Sequence, residues 1–167
     1  EIGYSDLLIL RSRLRAVMKP DPNAKDGHYW VRSLYFDNLQ DKALLEKING
    51  VNHREKFRLR YYNDDLSHIS LEKKSKINGL CSKQQQIISY EQTQHILSGN
   101  VEALTSGNSP SLLMELGIKM KTQGLMPRTI VDYKREPFVC DAGNTRVTMD
   151  YDIRTGIASK DFLTPDS

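Results

Sequence analysis

The sequence predicts an α+β fold carried on an antiparallel sheet or barrel. Three observations lead there. Segments of β-type composition follow one another across short turn signals, Asn63-Asp64-Asp65, Asn78-Gly79 and Asp141 to Asn144, which is hairpin spacing. Helical segments are inserted between these hairpins instead of alternating with single strands, so the rhythm of a parallel sheet is missing. The strands also carry charge at every second position, the mark of two-faced strands in an antiparallel sheet.

The elements follow in order. Ser5-Asp6 ahead of LLILRSRLRAVM predicts a capped helix with Leu7, Leu10, Leu14 and Val17 or Met18 on one side. Pro20 to Asn23 and Asp26-Gly27 end it in a loop. His28 to Asn38 is rich in aromatic and β-branched residues and predicts a strand, with Val31, Ser33, Tyr35 and Asp37 on one face. Gln40 to Ile48 predicts a short helix or an extended lead-in, and Asn49-Gly50 a turn. Arg54–Tyr62, His68–Lys76 and Ser82–Ile88 predict three strands. Ser89 caps a helix of about ten residues. Gly99 to Asn108 reads as a polar link, and Ser109-Pro110 as the cap and first position of a helix ending at Gly124. The segment TIVDYKREPFV predicts a strand broken near Pro137, and TRVTMDYDIR a strand of clean alternation. The tail from Gly156 carries no pattern.

With 167 residues, 38% apolar and 27% charged, the chain suits one domain, residues 1–167, of ordinary globular composition. No apolar run approaches the roughly 20 residues that span a bilayer. Leu7–Leu10 meets Arg11 at once, so no signal peptide is expected. Cys81 and Cys140 form no CxxC and stand away from His28, His53, His68 and His95, which argues against zinc and for a reducing, cytoplasmic setting. No Walker loop or GxGxxG is present. The net formal charge is only +3, but Arg54 to Lys83 holds eight Lys/Arg against four Asp/Glu.

That concentration is patterned. Arg58 and Arg60 share one strand face, as do Glu72, Lys74 and Lys76, with Phe57, Leu59 and Tyr61 opposite the arginines. Two readings remain open for each strand: a wet face on a one-sided sheet, with Glu72 in a cross-strand ion pair, or a face that binds a polyanion. The pattern repeats where Tyr133 and Arg135 share a face, and again at Arg146 with Thr148, Asp150 and Asp152. Like charges converging inside a barrel repel and make sense with an anion between them. Arginine forks and mobile lysines both suit phosphate oxygens. Nucleic acid is not expected, because stacking aromatics are not interleaved with the basic face apart from Tyr62 and Tyr133.

The segments YWVRSLYFDN, EKINGVNHREKFRLRYYN, ISLEKKSKINGLCSKQ, VDYKREPF and RVTMD, in this order, resemble the VTC domain. That is the catalytic domain of vacuolar transporter chaperone polyphosphate polymerases and their bacterial relatives, in the triphosphate tunnel metalloenzyme superfamily. The resemblance runs from Glu1 to about Asp152 and implies an antiparallel β-barrel enclosing a basic tunnel, with inserted and peripheral helices. It implies catalytic, phosphate-holding roles for Arg58, Arg60, Lys74, Arg135 and Arg146. Lys47, Lys76 and Lys83 would be further phosphate-binding positions. It implies a divalent metal, Mn²⁺ or Mg²⁺, with Glu72 and Glu1 as the local ligand candidates, and ATP or another triphosphate and polyphosphate as partners. The family opens on a Glu-x-Lys-Tyr strand; here Gly3 replaces the Lys. It also continues through further strands, so the tunnel is expected to be incomplete at the C-terminus. The implied activity is polyphosphate polymerase-like transfer of a terminal phosphoryl group. A nucleoside triphosphatase or tripolyphosphatase, and a non-catalytic polyphosphate-binding domain, are the alternatives.

Overall fold

The computed structural model describes residues 2–107, 109–156 and 161–164. Five α-helices and seven strands occur among them: α1 (Tyr4–Val17), β1 (Lys19–Pro20), β2 (Tyr29–Asp37), α2 (Lys42–Ile48), β3 (His53–Tyr62), β4 (Ile69–Ile77), β5 (Leu80–Ile88), α3 (Tyr90–Ser98), α4 (Val101–Leu104), α5 (Ser111–Gln123), β6 (Met126–Cys140) and β7 (Thr145–Gly156). The hydrogen-bonded strand order is β1-β6-β2-β3-β4-β5, with β7 also on β6. The pairs β1–β6, β3–β4 and β4–β5 are antiparallel. The predicted α+β class on an antiparallel sheet is what forms. No helix among the described residues is long and apolar enough to cross a membrane. The chain groups into two compact units, Glu1–Val31 with Asp132–Arg154, and Arg32–Val131 with Thr155–Ser167.

In the larger unit the turn chemistry sets the hairpin. Asn78 and Gly79 both take positive φ, 48° and 85°, the pair of left-handed residues that a two-residue turn between right-twisted strands requires. This fixes the β4–β5 register that puts Lys74 opposite Lys83; in the β3–β4 pair Leu59 stands opposite Leu71. One face of β3–β4–β5 is then apolar. Phe57, Leu59, Tyr61, Ile69, Leu71 and Ile88 join Ile96, Leu104, Leu112, Leu113 and Leu116 from α3–α5 in one core. Along the edge of that core Lys73 pairs with Glu55 and Glu115, and Lys119 with Glu55, fastening α5 to the sheet. Phe162 is fully buried in this core against the edge of Tyr61, whose hydroxyl donates to the Phe162 carbonyl. The opposite face of the three strands is left without helices from that core and carries the charge.

The smaller unit has its own core of Leu7, Leu14, Phe138 and Met149. The buried Glu136 accepts from Arg11 at 2.7 Å and from Arg15 at 3.3 Å, which ties α1 to β6. Burial of the carboxylate beside two guanidiniums removes the cost of an unpaired charge.

Several expectations are corrected. Gly3, not Ser5, is the N-cap of α1, and Asp6 reaches back to the Gly3 N–H at 3.3 Å. Pro110, not Ser109, caps α5, with Ser111 as its first residue. The polar link after α3 holds a one-turn helix, α4, capped by Asn100. β6 runs through Pro137 unbroken, because β1 pairs at Phe138 and Val139 and the Pro137 carbonyl accepts from the Asp21 N–H. The alternation of β7 fails at Asp152, whose φ is 52°, leaving Ile153 63% exposed while Met149 is buried.

Candidate polyanion-binding face

The register of β3, β4 and β5 builds the site row by row. Arg54 stands opposite Lys76, and Lys76 opposite Cys81. The next row is Lys56, Lys74 and Lys83. Then come Arg58, Glu72 and Gln85, and last Arg60, Ser70 and Ile87. Rows on one face are roughly 7 Å apart. Among the described residues of these four rows there are seven cations and one carboxylate. Directly opposed like charges destabilise a sheet, and Lys56 and Lys74 form such a pair.

The outer two rows line a concavity of about 370 Å³ formed by Arg54, Lys56, Lys74, Lys76, Lys83 and their neighbours. Burial lowers the pKa of Lys56, and the nearby charges of Lys47 and Arg54 lower it further. Lys47, in the last turn of α2, therefore adds its field to the same row. Arg54, Lys56, Lys74 and Lys76 carry no ion pair with a carboxylate among the described residues.

The inner rows are organised differently. Arg58 donates to Glu72 through Nε at 2.5 Å, with a second contact from its terminal nitrogen, and to the Tyr35 hydroxyl at 3.3 Å. Arg60 is buried, donates through Nε to Ser33 Oγ at 2.9 Å and lies over the Tyr62 ring. Ser33 and Tyr35 are on the face of β2 that alternation assigned to them. Burial pushes the Glu72 carboxyl up, but the hydrogen bond from Lys83 and the charges of Arg58 and Arg60 bring it below the usual carboxylate range.

The structure thus gathers Arg58, Arg60, Lys74, Lys76, Lys83 and Glu72 on one face, with Lys47 beside it. Arg135 and Arg146 belong to the smaller unit, and each is held by a carboxylate there. Arg135 binds Asp150 through two nitrogens, at 2.7 and 2.6 Å, which raises its pKa, and it lies over Tyr133. Arg146 binds Asp21 at 2.6 Å and the Tyr29 hydroxyl at 3.0 Å. Asp150 is therefore a partner for Arg135, where the sequence suggested only a shared face with Arg146. Arg54 and Lys56 were missed as site residues, although the period of two that selects Arg58 and Arg60 extends back to both.

The residues on this face do not fit a resident divalent metal. Mg²⁺ and Mn²⁺ ask for carboxylate oxygens free to coordinate. Glu72 gives Oε2 to Arg58 and Oε1 to Lys83, and is 3% exposed. No cluster of three or more His, Cys, Asp or Glu able to hold a metal occurs among the described residues. Glu1 lies outside the described residues.

The fold has counterparts among solved structures. A Bacillus halodurans protein assigned as an adenylate cyclase superposes with a TM-score of 0.55 at 12% identity, covering 89% of this chain and 67% of its own. HpAC1 from Hippeastrum, assigned as an adenylyl cyclase and described as having a dominant triphosphatase activity, gives 0.53 at 12% identity, covering 89% and 68%. At that identity the likeness shows the fold alone, an antiparallel sheet with helices. No curated protein matches the chain. The family model for the VTC domain matches residues 2–163, which take in every strand and helix described above. With the fold and the sequence pattern in agreement over nearly its whole length, this chain belongs to the VTC domain family.

Proposed function

We propose that this chain binds a linear run of phosphates, as a nucleoside triphosphate such as ATP or as polyphosphate, along the β3–β4–β5 face, and transfers the terminal phosphoryl group in the manner of a polyphosphate polymerase. The observation that carries this reading is the register of Lys56, Lys74 and Lys83 on three neighbouring strands, with Lys56 and Lys74 directly opposed and a further cationic row beside them. A sheet keeps such a row at a cost in stability that a polyanion removes on binding. Phosphates spaced along a chain match cations spaced along rows, where a single carboxylate ligand would engage one row.

Phosphoryl transfer needs positioning and neutralisation of the charge on the transferring group more than covalent chemistry from the protein. Arg60, preset through Nε by Ser33, supplies a guanidinium at the inner rows, and Arg58, held by Glu72 and Tyr35, adds fixed positive charge there. Lys56, Lys74 and Lys76 supply mobile charge at the outer rows. The VTC family membership supports polyphosphate as the acceptor and product. The description of HpAC1 supports a second reading on the same face, hydrolysis of a triphosphate.

Incubation with ATP and Mn²⁺ or Mg²⁺, followed by polyphosphate gel electrophoresis and a phosphate-release assay, separates the readings. Chain growth supports the polymerase. Release of phosphate without chain growth supports the triphosphatase. Neither, with tripolyphosphate binding intact, leaves a binding module, and absence of binding overturns all three. Lys74→Gln is expected to weaken tripolyphosphate binding about tenfold, the size of one charge-assisted hydrogen bond.

A further inference from the structure

We propose that Glu72 is the resident counter-ion of the polyanion face: it holds Lys83 in reserve, and a chain of phosphates takes Lys83 away from it on binding. This rests on the reading of that face as a phosphate site.

The register carries the inference. Lys83 stands opposite Lys74, in the all-lysine row, yet its Nζ lies 3.0 Å from Glu72 Oε1 and 3.0 Å from Gln85 Oε1. The side chain has left its own row and crossed diagonally to the next one. Without Glu72 it would complete the three-lysine row. The other oxygen of Glu72 is occupied by Arg58, so one carboxylate is shared by two of the seven cations.

The two partners are held unequally. The Arg58 side chain is 14% exposed and also bonded to Tyr35, whereas that of Lys83 is 44% exposed. An ion pair with a half-exposed lysine is readily exchanged, and a flexible ammonium follows the denser charge of a phosphate. Lys83 can therefore swing back into its row with no change in the sheet, while Glu72 stays with Arg58. The empty face is spared a third unpaired lysine in that row, and the loaded face gains it.

Titration calorimetry with tripolyphosphate on the intact chain, in EDTA and again with Mn²⁺, tests the proposal. Lys83→Gln is expected to cost about twofold or less, because the wild-type lysine gives up one anion to gain another, against about tenfold for Lys74→Gln. Glu72→Gln is expected to tighten binding several-fold, equally in EDTA and Mn²⁺. In the Glu72→Gln background, Lys83→Gln is expected to cost the full tenfold, a coupling that a double-mutant cycle reads directly. Equal losses for Lys83→Gln in both backgrounds overturn the proposal. So does weaker binding by Glu72→Gln, whether in both conditions or only with metal. Should Glu72→Gln fail to fold, the comparison of Lys83→Gln with Lys74→Gln stands alone, and a loss at Lys83 as large as at Lys74 overturns it. Binding of tripolyphosphate by the wild type, with this pattern absent, leaves the phosphate-site reading in place; absence of wild-type binding removes both.

Discussion

Gly117 shows how a single position in α5 sets the packing beneath the site. A Cβ there would come within 2.9 Å of Thr105 Cγ2 and 3.1 Å of Leu104 Cβ. In an ordinary helix interior, Gly→Ala gains about 0.5–1 kcal/mol by restricting the unfolded chain. Overpacking a closed contact costs about 1–3 kcal/mol. The closed contact wins, because Leu104 is fully buried and the helix backbone of α4 follows it. Gly117→Ala is therefore expected to lower the melting temperature by several degrees. Adding Thr105→Ser, which deletes the offending methyl, should restore part of the loss. A Gly117→Ala chain more stable than the wild type in a thermal melt would show that α4 and α5 are not in close contact.

At the scale of elements, α5 is fastened to β3 and β4 by charge as well as by apolar packing. Lys73 is 11% exposed and sits between Glu55 and Glu115, while Lys119 reaches Glu55 from α5. Burial raises the Glu55 pKa, but Lys119 and Lys73 bring it below the ordinary value of 4.5. A carboxylate whose folded pKa is lowered adds stability that is fully present above its unfolded pKa. That stability is lost as pH falls through the lowered folded value. Glu72, lowered in the same sense, acts in the same window. The melting temperature is expected to hold from pH 7 to about 5 and to fall below about 4.5, and Glu55→Gln should flatten that fall while lowering stability at neutral pH. The local parts of this architecture were legible because their chemistry is local: Asn78-Gly79 announces its turn, and Ser89 with Gln92 closes a capping box. α4 and Phe162 were not. Four residues are too few for a periodic signal, and Phe162 is buried in a core assembled from distant segments, against Tyr61, about a hundred positions away, which donates to its carbonyl.

At the scale of the whole molecule, alternation could say which face a cation occupies but not what stands opposite it. It therefore found Arg58, Arg60, Lys74 and Lys76. It could not see that Arg135 and Arg146 are each committed to an aspartate, or that Lys83 leaves its row for Glu72. The same distinction separates net charge from local charge. The net formal charge is only +3, yet four rows of one face hold seven cations and one carboxylate among the described residues. Screening confines the pull of a surface charge to about 8–10 Å at physiological salt, so binding should follow the face and ignore distant charges. Arg13 in α1 and Lys121 in α5 are exposed and outside those rows. Reversing both to Glu removes two positive units at each position and carries the net charge from +3 to −1. Tripolyphosphate affinity at 0.15 M salt is nevertheless expected to stay within about threefold of wild type, with the same dependence on salt. Lys74→Glu alone leaves the net charge at +1 but should abolish measurable binding, since it sets an anion between Lys56 and Lys83. If affinity instead follows the net charge across these variants, attraction is a property of the whole surface and the lysine row is not the site.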